Sequence, residues 1–307
     1  MSAAPPWVDP GLLPMAAAVD ALERALLDGL DPAADDPRGR VELGSAGHLL
    51  TMPSRYGGFA GVKLSTVAPG NPARGLPRIQ GVYALWDAET LAPVALLDAA
   101  AITSLRTPAL SALAARHLSR GRARTLVVFG TGPQAAGHVD ALRVVLPELE
   151  RVHVVARDRG RAERFAADCG ATVAGDPSVV GEADVVCCCT SASEPLFDGD
   201  LVAAGATVIA IGSHEAGVRE LDERLMGRAA VVVESRASAL REAGDVLLAV
   251  EAGALDPDGM VTIDELVRGA AAHAIAGDHP RVFKSVGMSW EDLVVASAAW
   301  ERHPGRS

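Results

Sequence analysis

The sequence predicts an α/β protein that contains a doubly wound parallel sheet, and two observations carry this prediction. From residue 124 onwards, short apolar runs alternate with segments of helical periodicity, beginning with TLVVFG at 125–130. Such alternation is typical of parallel strands joined by helices that cover both faces of a sheet. Before residue 99, glycine, asparagine and proline instead separate short apolar runs, which indicates antiparallel strands.

The composition is that of a globular protein with an excess of acidic residues. Of the 307 residues, 49% are apolar and 22% are charged, and the formal net charge is −11. Nucleic-acid binding needs a clustered basic surface, so this balance argues against a nucleic-acid partner. The first residues show neither a basic segment nor an apolar run long enough to span a bilayer. We therefore expect a cytoplasmic protein without a membrane partner.

Three of the four cysteines are adjacent, at positions 187 to 189. Neighbouring side chains on a strand point to opposite faces, so these residues make a poor disulfide framework and a poor metal site. We expect reduced cysteines that pack in the core, no bound metal, and a reducing compartment.

The N-terminal third predicts one helix, a broken loop and then an antiparallel sheet. Residues 12–30 carry apolar side chains at helical spacing, and prolines and acidic residues interrupt the stretch 28–40. The short apolar runs between 41 and 98 predict the antiparallel strands. The alanine-rich stretch 99–121 then predicts a helix that Gly121 closes.

The rest of the chain predicts the strands and helices of the parallel sheet. Strands are expected wherever an apolar run is short and nearly continuous, at 124–130, 151–157, 183–190, 205–212 and 229–235. Helices are expected between them, at 133–146 and 161–169.

The turn after the first of these strands carries the motif G-x-G-x-x-A. Gly130 makes the tight turn, Gly132 lets the backbone approach a pyrophosphate, and Ala135 lets the helix pack closely. The unpaired amides at the helix start, around Gln134, would hold the phosphates. The motif follows a strand and opens a helix, so we expect a Rossmann dinucleotide-binding domain. The alternative is a plain glycine turn.

The end of the next strand bears on the choice of cofactor. Arg157 would pair with the 2′-phosphate of NADP, whereas Asp158 would bind the ribose hydroxyls of NAD. We favour NADP, and keep NAD as the alternative in which Arg157 is merely solvated.

Four separated stretches of the sequence resemble the ornithine cyclodeaminase/mu-crystallin family of NAD(P)-dependent enzymes. In chain order they are GVKLSTVAPGNPARGLP (61–77), DAAAITSLRTPALSALAARHL (98–118), VVFGTGPQAAGH (127–138) and FKSVGMSWEDLVVASAAW (283–300), so that their order and spacing extend over most of the chain. The resemblance implies an oxidoreductase that transfers a hydride between a nicotinamide and a small α-imino or α-amino acid.

The resemblance also implies a split architecture and a homodimer. A Rossmann domain at 119–282 would be inserted into an α+β domain for substrate binding and dimerisation, formed by 1–118 and 283–307. The residues agree with this division, because the short C-terminal segment contains no sheet partner of its own.

Two basic residues are the leading candidates for catalysis and substrate binding. Arg106, near the start of an otherwise apolar helix, offers a planar fork for a substrate carboxylate. Lys63, on an apolar strand, is costly to bury without a partner, so it either points to solvent or faces a ligand. Both match functional positions of the family. The resemblance further implies a second carboxylate-binding arginine, for which Arg38 and Arg40 both qualify.

The remaining site residues follow from the resemblance and from the ends of the parallel strands, where such sheets bind ligands. We expect Thr107 and Ser285 near the nicotinamide, and Lys284 either in the site or at a surface helix end. The other residues expected to border the cofactor are Thr190, Ser191 and Gly212.

One position departs from the cyclodeaminases of the family. Where they carry an aspartate after the strand ATVIAIG, this chain has His214. A histidine still suits acid or base chemistry, although His214 could instead only cap a loop or contact the cofactor. We therefore favour a reductase of imino acids, which needs a single hydride transfer. The alternatives are an ornithine cyclodeaminase and a cofactor-binding protein without turnover.

Overall fold

The computed structural model describes residues 4–119 and 123–305, so that Gly121 lies outside the described residues. The chain divides into two compact units, Met1–Thr107 with Met288–Ser307 and Pro108–Gly287. The first unit therefore combines the N-terminal third with the last helix, and the second contains the region predicted as a parallel sheet.

The strands and helices of the described residues are numbered in chain order. The strands are β1 (Trp7–Val8), β2 (Gly39–Glu42), β3 (His48–Tyr56), β4 (Phe59–Val67), β5 (Ile79–Asp87), β6 (Pro93–Asp98), β7 (Thr125–Phe129), β8 (Arg151–Val155), β9 (Thr172–Val173), β10 (Val185–Cys188), β11 (Thr207–Ala210), β12 (Ala230–Val233), β13 (Val261–Thr262) and β14 (Arg281–Lys284). The α-helices are α1 (Met15–Leu27), α2 (Ala99–Leu118), α3 (Pro133–Val145), α4 (Arg159–Cys169), α5 (Glu223–Arg228), α6 (Arg236–Glu242), α7 (Gly244–Glu251), α8 (Ile263–Val267) and α9 (Ser289–Trp300).

The first unit is built on a sheet whose described strands lie in the order β1-β6-β5-β4-β3-β2. Strands β2 to β6 pair antiparallel, as the punctuated apolar runs predict. Helix α9 packs against β3 and β4, and α1 packs against α9. Burial alternates along β4 because one face of the sheet meets α9: Gly61, Lys63 and Ser65 are buried, whereas Leu64 is exposed.

The second unit contains a parallel sheet whose described strands lie in the order β13-β12-β14-β11-β10-β7-β8-β9. The order reverses between β7 and β10, which is the point where open α/β sheets bind ligands. Every residue of β7, β10 and β11 is buried, because helices cover both faces of a doubly wound sheet. The predicted fold class is confirmed.

Local sequence explains where several helices of the second unit begin and end. Asp158 caps α4 by accepting a hydrogen bond from the Arg161 N–H, and Gly170 ends the same helix in the left-handed conformation. Thr262 and Glu265 form a capping box at the start of α8. No helix within the described ranges is both long enough and apolar enough to cross a membrane.

Candidate active site

Lys63 and two acidic residues of α9 form the centre of a buried ionic cluster in the first unit. Lys63 Nζ lies 2.7 Å from Asp292 Oδ2, and the exposed fractions of the two side chains are only 5% and 0%. Lys63 also donates to Thr103 Oγ1 over 3.4 Å. The sequence left open solvent or a ligand as the partner of Lys63, and the structure adds an internal carboxylate that the sequence analysis did not name.

Arg106 brings a second cation to the same helix. Its Nη1 lies 2.5 Å from Glu291 Oε2, and its Nε lies 3.3 Å from Asp292 Oδ1. The arginine is 6% exposed, so it is not the surface residue of a helix. We refer to Lys63, Arg106, Glu291 and Asp292 together as the α9 cluster. Its two cations and two carboxylates balance, as buried charges require.

The acidic pair of α9 escaped the sequence analysis. Glu291 has a second structural role, since its Oε1 accepts a hydrogen bond from the Met288 N–H and so caps α9. A signal was present, because acidic residues are almost never fully buried unless they are paired, and α9 is otherwise almost entirely apolar. The buried cations of β4 and α2 were therefore the partners to look for.

The environment of Lys63 weakens its hold on a proton. Burial lowers the pKa of Lys63, and the charge of Arg106 lowers it further, whereas the nearby carboxylate of Asp292 opposes the shift. A lysine with a lowered pKa gives up its proton more readily than a solvated one. The cluster can therefore hold a proton at Lys63 Nζ and release it to a substrate atom.

Asp35, within the predicted loop 28–40, anchors the start of α9. One carboxylate oxygen accepts hydrogen bonds from the N–H groups of Ser289 and Trp290 at 2.8 and 3.1 Å, and the other accepts the Ser54 hydroxyl at 2.9 Å. Burial, together with the negative charge of Asp292, raises the pKa of Asp35 to about 6 in spite of these bonds. The sequence analysis missed this residue because two of its partners, the N–H groups of Ser289 and Trp290, lie 254 and 255 positions away.

Two buried hydroxyl groups of the first unit have no hydrogen-bond partner among the described residues. They are Tyr83 Oη, on the strand position paired with Lys63, and Thr107 Oγ1, next to Arg106 in α2. An unpaired buried hydroxyl costs roughly 1–3 kcal/mol, so such groups are often completed by a ligand or a water molecule. The sequence analysis expects Thr107 itself near the nicotinamide, and Tyr83 is paired with the substrate candidate Lys63.

The two candidates for the second carboxylate-binding arginine differ in their surroundings. Arg40 is exposed, and its Nε lies 2.5 Å from Glu42 Oε1 on the same face of β2. This contact lowers the pKa of Glu42. Arg38 precedes β2 and is half-buried. Arg40 is thus engaged at the surface.

The glycine turn of the second unit has the features of a pyrophosphate site. Gly130 has a φ of +110°, and a Cβ there would lie 2.5 Å from the carbonyl oxygen of Cys189. A Cβ at Gly132 would meet no described atom within 4 Å, so the space beside this residue is open. No described side chain caps α3, and Ala135 is fully buried. The first amides of α3 can therefore bind phosphate oxygens, and the turn fits a dinucleotide.

The two residues that bear on cofactor choice follow the end of β8. Asp158 Oδ1 accepts the Arg161 N–H at 2.9 Å and so caps α4. Arg157 and Asp158 are both exposed. The cap hydrogen bond uses one carboxylate oxygen of the acid.

A buried carboxylate, Glu220, joins the ends of β10 and β11. Its Oε1 accepts the N–H and the hydroxyl of Thr190 at 2.8 and 2.7 Å, and its Oε2 accepts the N–H of Gly212 at 2.7 Å. Burial raises the pKa of Glu220, and the charge of Lys284 opposes that shift. The sequence analysis named Thr190 and Gly212 but missed the residue that holds them. Ser191, which follows Thr190 in the chain, is exposed.

Lys284 and Ser285 are both fixed by acidic residues. Lys284 Nζ lies 3.0 Å from Asp245 Oδ2 and donates to the Ser213 carbonyl at 2.6 Å. Lys284 is 1% exposed in β14, so the prediction of a surface position at a helix end is wrong. Ser285 Oγ donates to Glu234 Oε1 at 2.7 Å.

His214 lies in the loop after β11 and is exposed. The sequence left two roles open for this residue, which replaces the aspartate of the cyclodeaminases: acid–base chemistry, or a loop cap or cofactor contact. Its exposure contrasts with the burial of Lys63, whose environment perturbs its pKa.

The chain is similar over nearly its whole length to proteins of known activity. The sequence profile of the ornithine cyclodeaminase/mu-crystallin family matches residues 11–306. The Δ1-pyrroline-2-carboxylate reductase of Paracoccus denitrificans is 37% identical over 245 residues, which cover 77% of each chain.

Two solved structures extend this similarity to the fold. The Δ1-pyrroline-2-carboxylate reductase of Thermococcus litoralis, in complex with NADH and L-proline, superposes with a TM-score of 0.86 at 26% identity and covers 96% of both chains. An archaeal alanine dehydrogenase dimer with bound NAD gives a TM-score of 0.85 at 28% identity, covering 96% of this chain and 95% of the other.

Proposed function

Since the chain belongs to the ornithine cyclodeaminase/mu-crystallin family, we propose that it reduces a small cyclic α-imino acid with a reduced nicotinamide dinucleotide. The observation that carries this proposal is the α9 cluster, which pairs a buried lysine of lowered pKa with a buried arginine. The named relatives support a Δ1-pyrroline-2-carboxylate type of substrate. The reverse reaction would oxidise the corresponding amino acid.

Arg106 would bind the substrate carboxylate in this reaction. Glu291 and Asp292 hold its guanidinium in place, and a guanidinium can bind carboxylates along more than one edge. We assign the second carboxylate contact to Arg38, because Arg38 is half-buried whereas Arg40 is exposed. A carboxylate fixed from two sides leaves the C=N bond of a small substrate with little freedom to turn.

Lys63 would donate the proton that the reduction requires. The nicotinamide supplies a hydride to the C=N carbon when the dinucleotide is bound. Lys63 Nζ gives its proton to the substrate nitrogen, which becomes a secondary amine, and Asp292 keeps the lysine charged and oriented beforehand. Solvent returns the proton afterwards. We assign this step to Lys63 and give His214 at most an assisting role, because His214 is exposed.

We further propose that the second unit binds the dinucleotide through its glycine turn and prefers NADP. Gly130, Gly132 and the first amides of α3, including that of Gln134, would hold the pyrophosphate. Arg157 would pair with the 2′-phosphate. This choice is supported by the helix-cap hydrogen bond that Asp158 Oδ1 accepts from the Arg161 N–H.

Cofactor preference tests the role of Arg157. Arg157→Ala should lower the ratio of kcat/KM for NADPH to that for NADH by at least about tenfold, since a charge-assisted hydrogen bond contributes about 1.5–3 kcal/mol. Arg268→Ala, which removes an exposed arginine paired with Asp264, is the matched control. An unchanged ratio in Arg157→Ala would return the ribose contact to Asp158.

The sheet of the first unit supports a homodimer. The face opposite α9 carries apolar side chains in register, namely Val41, Leu49, Val62, Leu64 and Val82. Val41 and Leu64 are 52% and 36% exposed, and exposed apolar patches of this kind mark interaction surfaces. We therefore propose that two copies of the chain associate through this face. Light scattering should show a dimer that Leu64→Glu weakens and that Leu27→Glu, on α1, leaves intact.

The activity itself is tested by following the absorbance of reduced nicotinamide. Purified protein is given NADH or NADPH with a panel of cyclic imino acids, and ammonia release from ornithine and lysine is measured in parallel. Consumption of cofactor with an imino acid is the expected result. Ammonia release at constant absorbance would instead indicate a cyclodeaminase, and His214→Asp should then raise that activity. If neither cofactor consumption nor ammonia release is seen and the cofactor stabilises the protein, the result would indicate a binding protein.

A further inference from the structure

Three side chains of types that commonly bind soft metals lie together in the second unit. They are not among the groups proposed to act in catalysis. They are His138 of α3, Cys187 of β10 and Cys189 just after β10, and one ligand atom from each lies within 4.8 Å of the others. Cys187 Sγ and Cys189 Sγ are 3.5 Å apart. The sequence analysis considered only adjacent cysteines, whereas residues two positions apart share a face of a strand.

The geometry of the two thiols suits one metal ion. Two sulfur atoms bound at about 2.3 Å to a tetrahedral ion lie about 3.8 Å apart. The observed separation of 3.5 Å therefore needs an adjustment of only a few tenths of an ångström. Cys187 is buried and Cys189 is partly exposed.

The hydrogen bonds of His138 prepare its second nitrogen for a metal. Nδ1 lies 2.7 Å from the Gln134 carbonyl oxygen, which can only accept, so Nδ1 carries the ring proton. Nε2 therefore presents a lone pair, which faces the Ser111 hydroxyl at 2.9 Å. A backbone carbonyl bound to the far nitrogen is the usual second contact of a metal-binding histidine. A change of the Ser111 side chain to another χ1 rotamer would move Oγ away and leave Nε2 to an ion.

The charge balance of the buried site favours two thiolates bound to a divalent ion over a thiolate without an ion. Cys187 is fully buried, and an isolated thiolate charge is costly in an apolar interior. A divalent ion M²⁺ would replace the two thiol protons, as M²⁺ + 2 Cys–SH → M(S–Cys)₂ + 2 H⁺. With a neutral histidine as third ligand, the bound site has no net charge, which lowers the cost of its burial.

We propose that His138, Cys187 and Cys189 form a binding site for one thiophilic divalent cation of filled d shell, the class of Zn²⁺ and Cd²⁺. The site lies beneath the dinucleotide turn, since the Cys189 carbonyl oxygen abuts Gly130. A bound ion would tie α3 to the end of β10 and so brace the two elements that form the turn.

The test is a titration of the full chain with Cd²⁺, followed by the sulfur-to-metal charge-transfer absorbance in the ultraviolet. We expect saturation at one ion per chain, the release of two protons, and a rise in the thermal midpoint. Cys187→Ser with Cys189→Ser should abolish the absorbance. Cys188→Ser and Cys169→Ser are the matched controls, because Cys188 points to the opposite face of β10 and Cys169 lies at the end of α4.

Two further variants keep the proposal testable if the double cysteine variant does not fold. His138→Asn should weaken Cd²⁺ binding at least about tenfold, as expected for the loss of a ligand. Ser111→Ala removes the hydroxyl that competes for Nε2 and should tighten binding. Absence of the one-equivalent absorbance in the wild type, or its persistence in Cys187→Ser with Cys189→Ser, would overturn the proposal. Cd²⁺ affinities of His138→Asn and Ser111→Ala equal to that of the wild type would also overturn it.

Discussion

The two units each bury a lysine against carboxylates, but the two clusters differ in what completes their bonds. In the α9 cluster of the first unit the contacts run mainly between side chains, and the Met288 N–H that Glu291 accepts is a backbone contribution. The corresponding group of the second unit, which we call the strand-end cluster, consists of Glu220, Asp245 and Lys284. There the backbone supplies many of the hydrogen bonds.

Asp245 shows how the strand-end cluster is satisfied. Its Oδ1 accepts the N–H groups of Glu220 and Leu221 at 2.7 and 2.8 Å, and its Oδ2 accepts the Ser213 hydroxyl at 2.5 Å. These bonds and the charge of Lys284 hold the pKa of Asp245 below its ordinary value, although burial acts in the opposite direction. A carboxylate held in this way is a structural support for the loops around it.

The α9 cluster is less completely satisfied. Asp292 is contacted by the side chains of Lys63 and Arg106, and the hydroxyls of Tyr83 and Thr107 lack partners among the residues that the structure describes. The comparison teaches that burial of charges alone does not identify a reactive site. Incomplete hydrogen bonding separates the cluster that we propose to act on the substrate from the supporting one.

The largest expected difference is between the two lysines. Lys63→Met should lower kcat for imine reduction at least about 100-fold, because it removes the proton donor. Lys284→Met, the matched change in the strand-end cluster, should lower the thermal midpoint, since it leaves Asp245 without its cation. Steady-state kinetics and thermal unfolding of both variants measure the contrast. An equal loss of kcat in the two folded variants would break the comparison.

Replacement of the arginine fork sharpens the assignment of the α9 cluster. Arg106→Lys should lower kcat/KM for the imino acid by about 100-fold, because a point charge cannot replace a planar fork that also binds Glu291. Arg24→Lys, at an exposed position of α1, serves as the control. Unchanged turnover in Arg106→Lys would remove this residue from the mechanism.

The acidic partners should differ in their effect on the pH profile. Reduction needs a protonated Lys63, so kcat/KM should fall as the pH rises through the pKa of Lys63, which lies below its ordinary value of 10.5. Asp292→Asn removes the charge that opposes this shift and should move the alkaline limb to lower pH. Asp245→Asn, in the strand-end cluster, should leave the limb in place. Identical profiles of the two variants would contradict the proton-donor role of Lys63.

The smallest expected effect concerns the anchor of α9. Because the pKa of Asp35 is raised from 3.8 to about 6, the folded state binds more protons than the unfolded state between these values. The contribution of Asp35 to the free energy of unfolding therefore falls as the pH rises through that window. Asp35→Asn should flatten this part of the profile in denaturant titrations. A slope equal to that of the wild type between pH 4 and 6 would contradict the shifted pKa.

The sequence by itself determined the fold class and the glycine turn. Both depend on local patterns, namely the alternation of apolar strands with helices and the spacing of Gly130, Gly132 and Ala135 within one turn. It also identified Lys63 and Arg106, since a cation in an apolar element must have a partner. The two-residue repeat of side chains along a strand would also have shown that Cys187 and Cys189 lie on one face.

Only the tertiary structure decided which groups those cations meet. Arg106 and Glu291 are 185 positions apart, and Asp35 reaches the start of α9 from 254 positions away. Periodicity reports the face on which a side chain lies, but it carries no information on which distant segment packs against that face. The return of the chain to its first unit through α9 brings these charges together, and the free energy of a buried charge depends on that encounter.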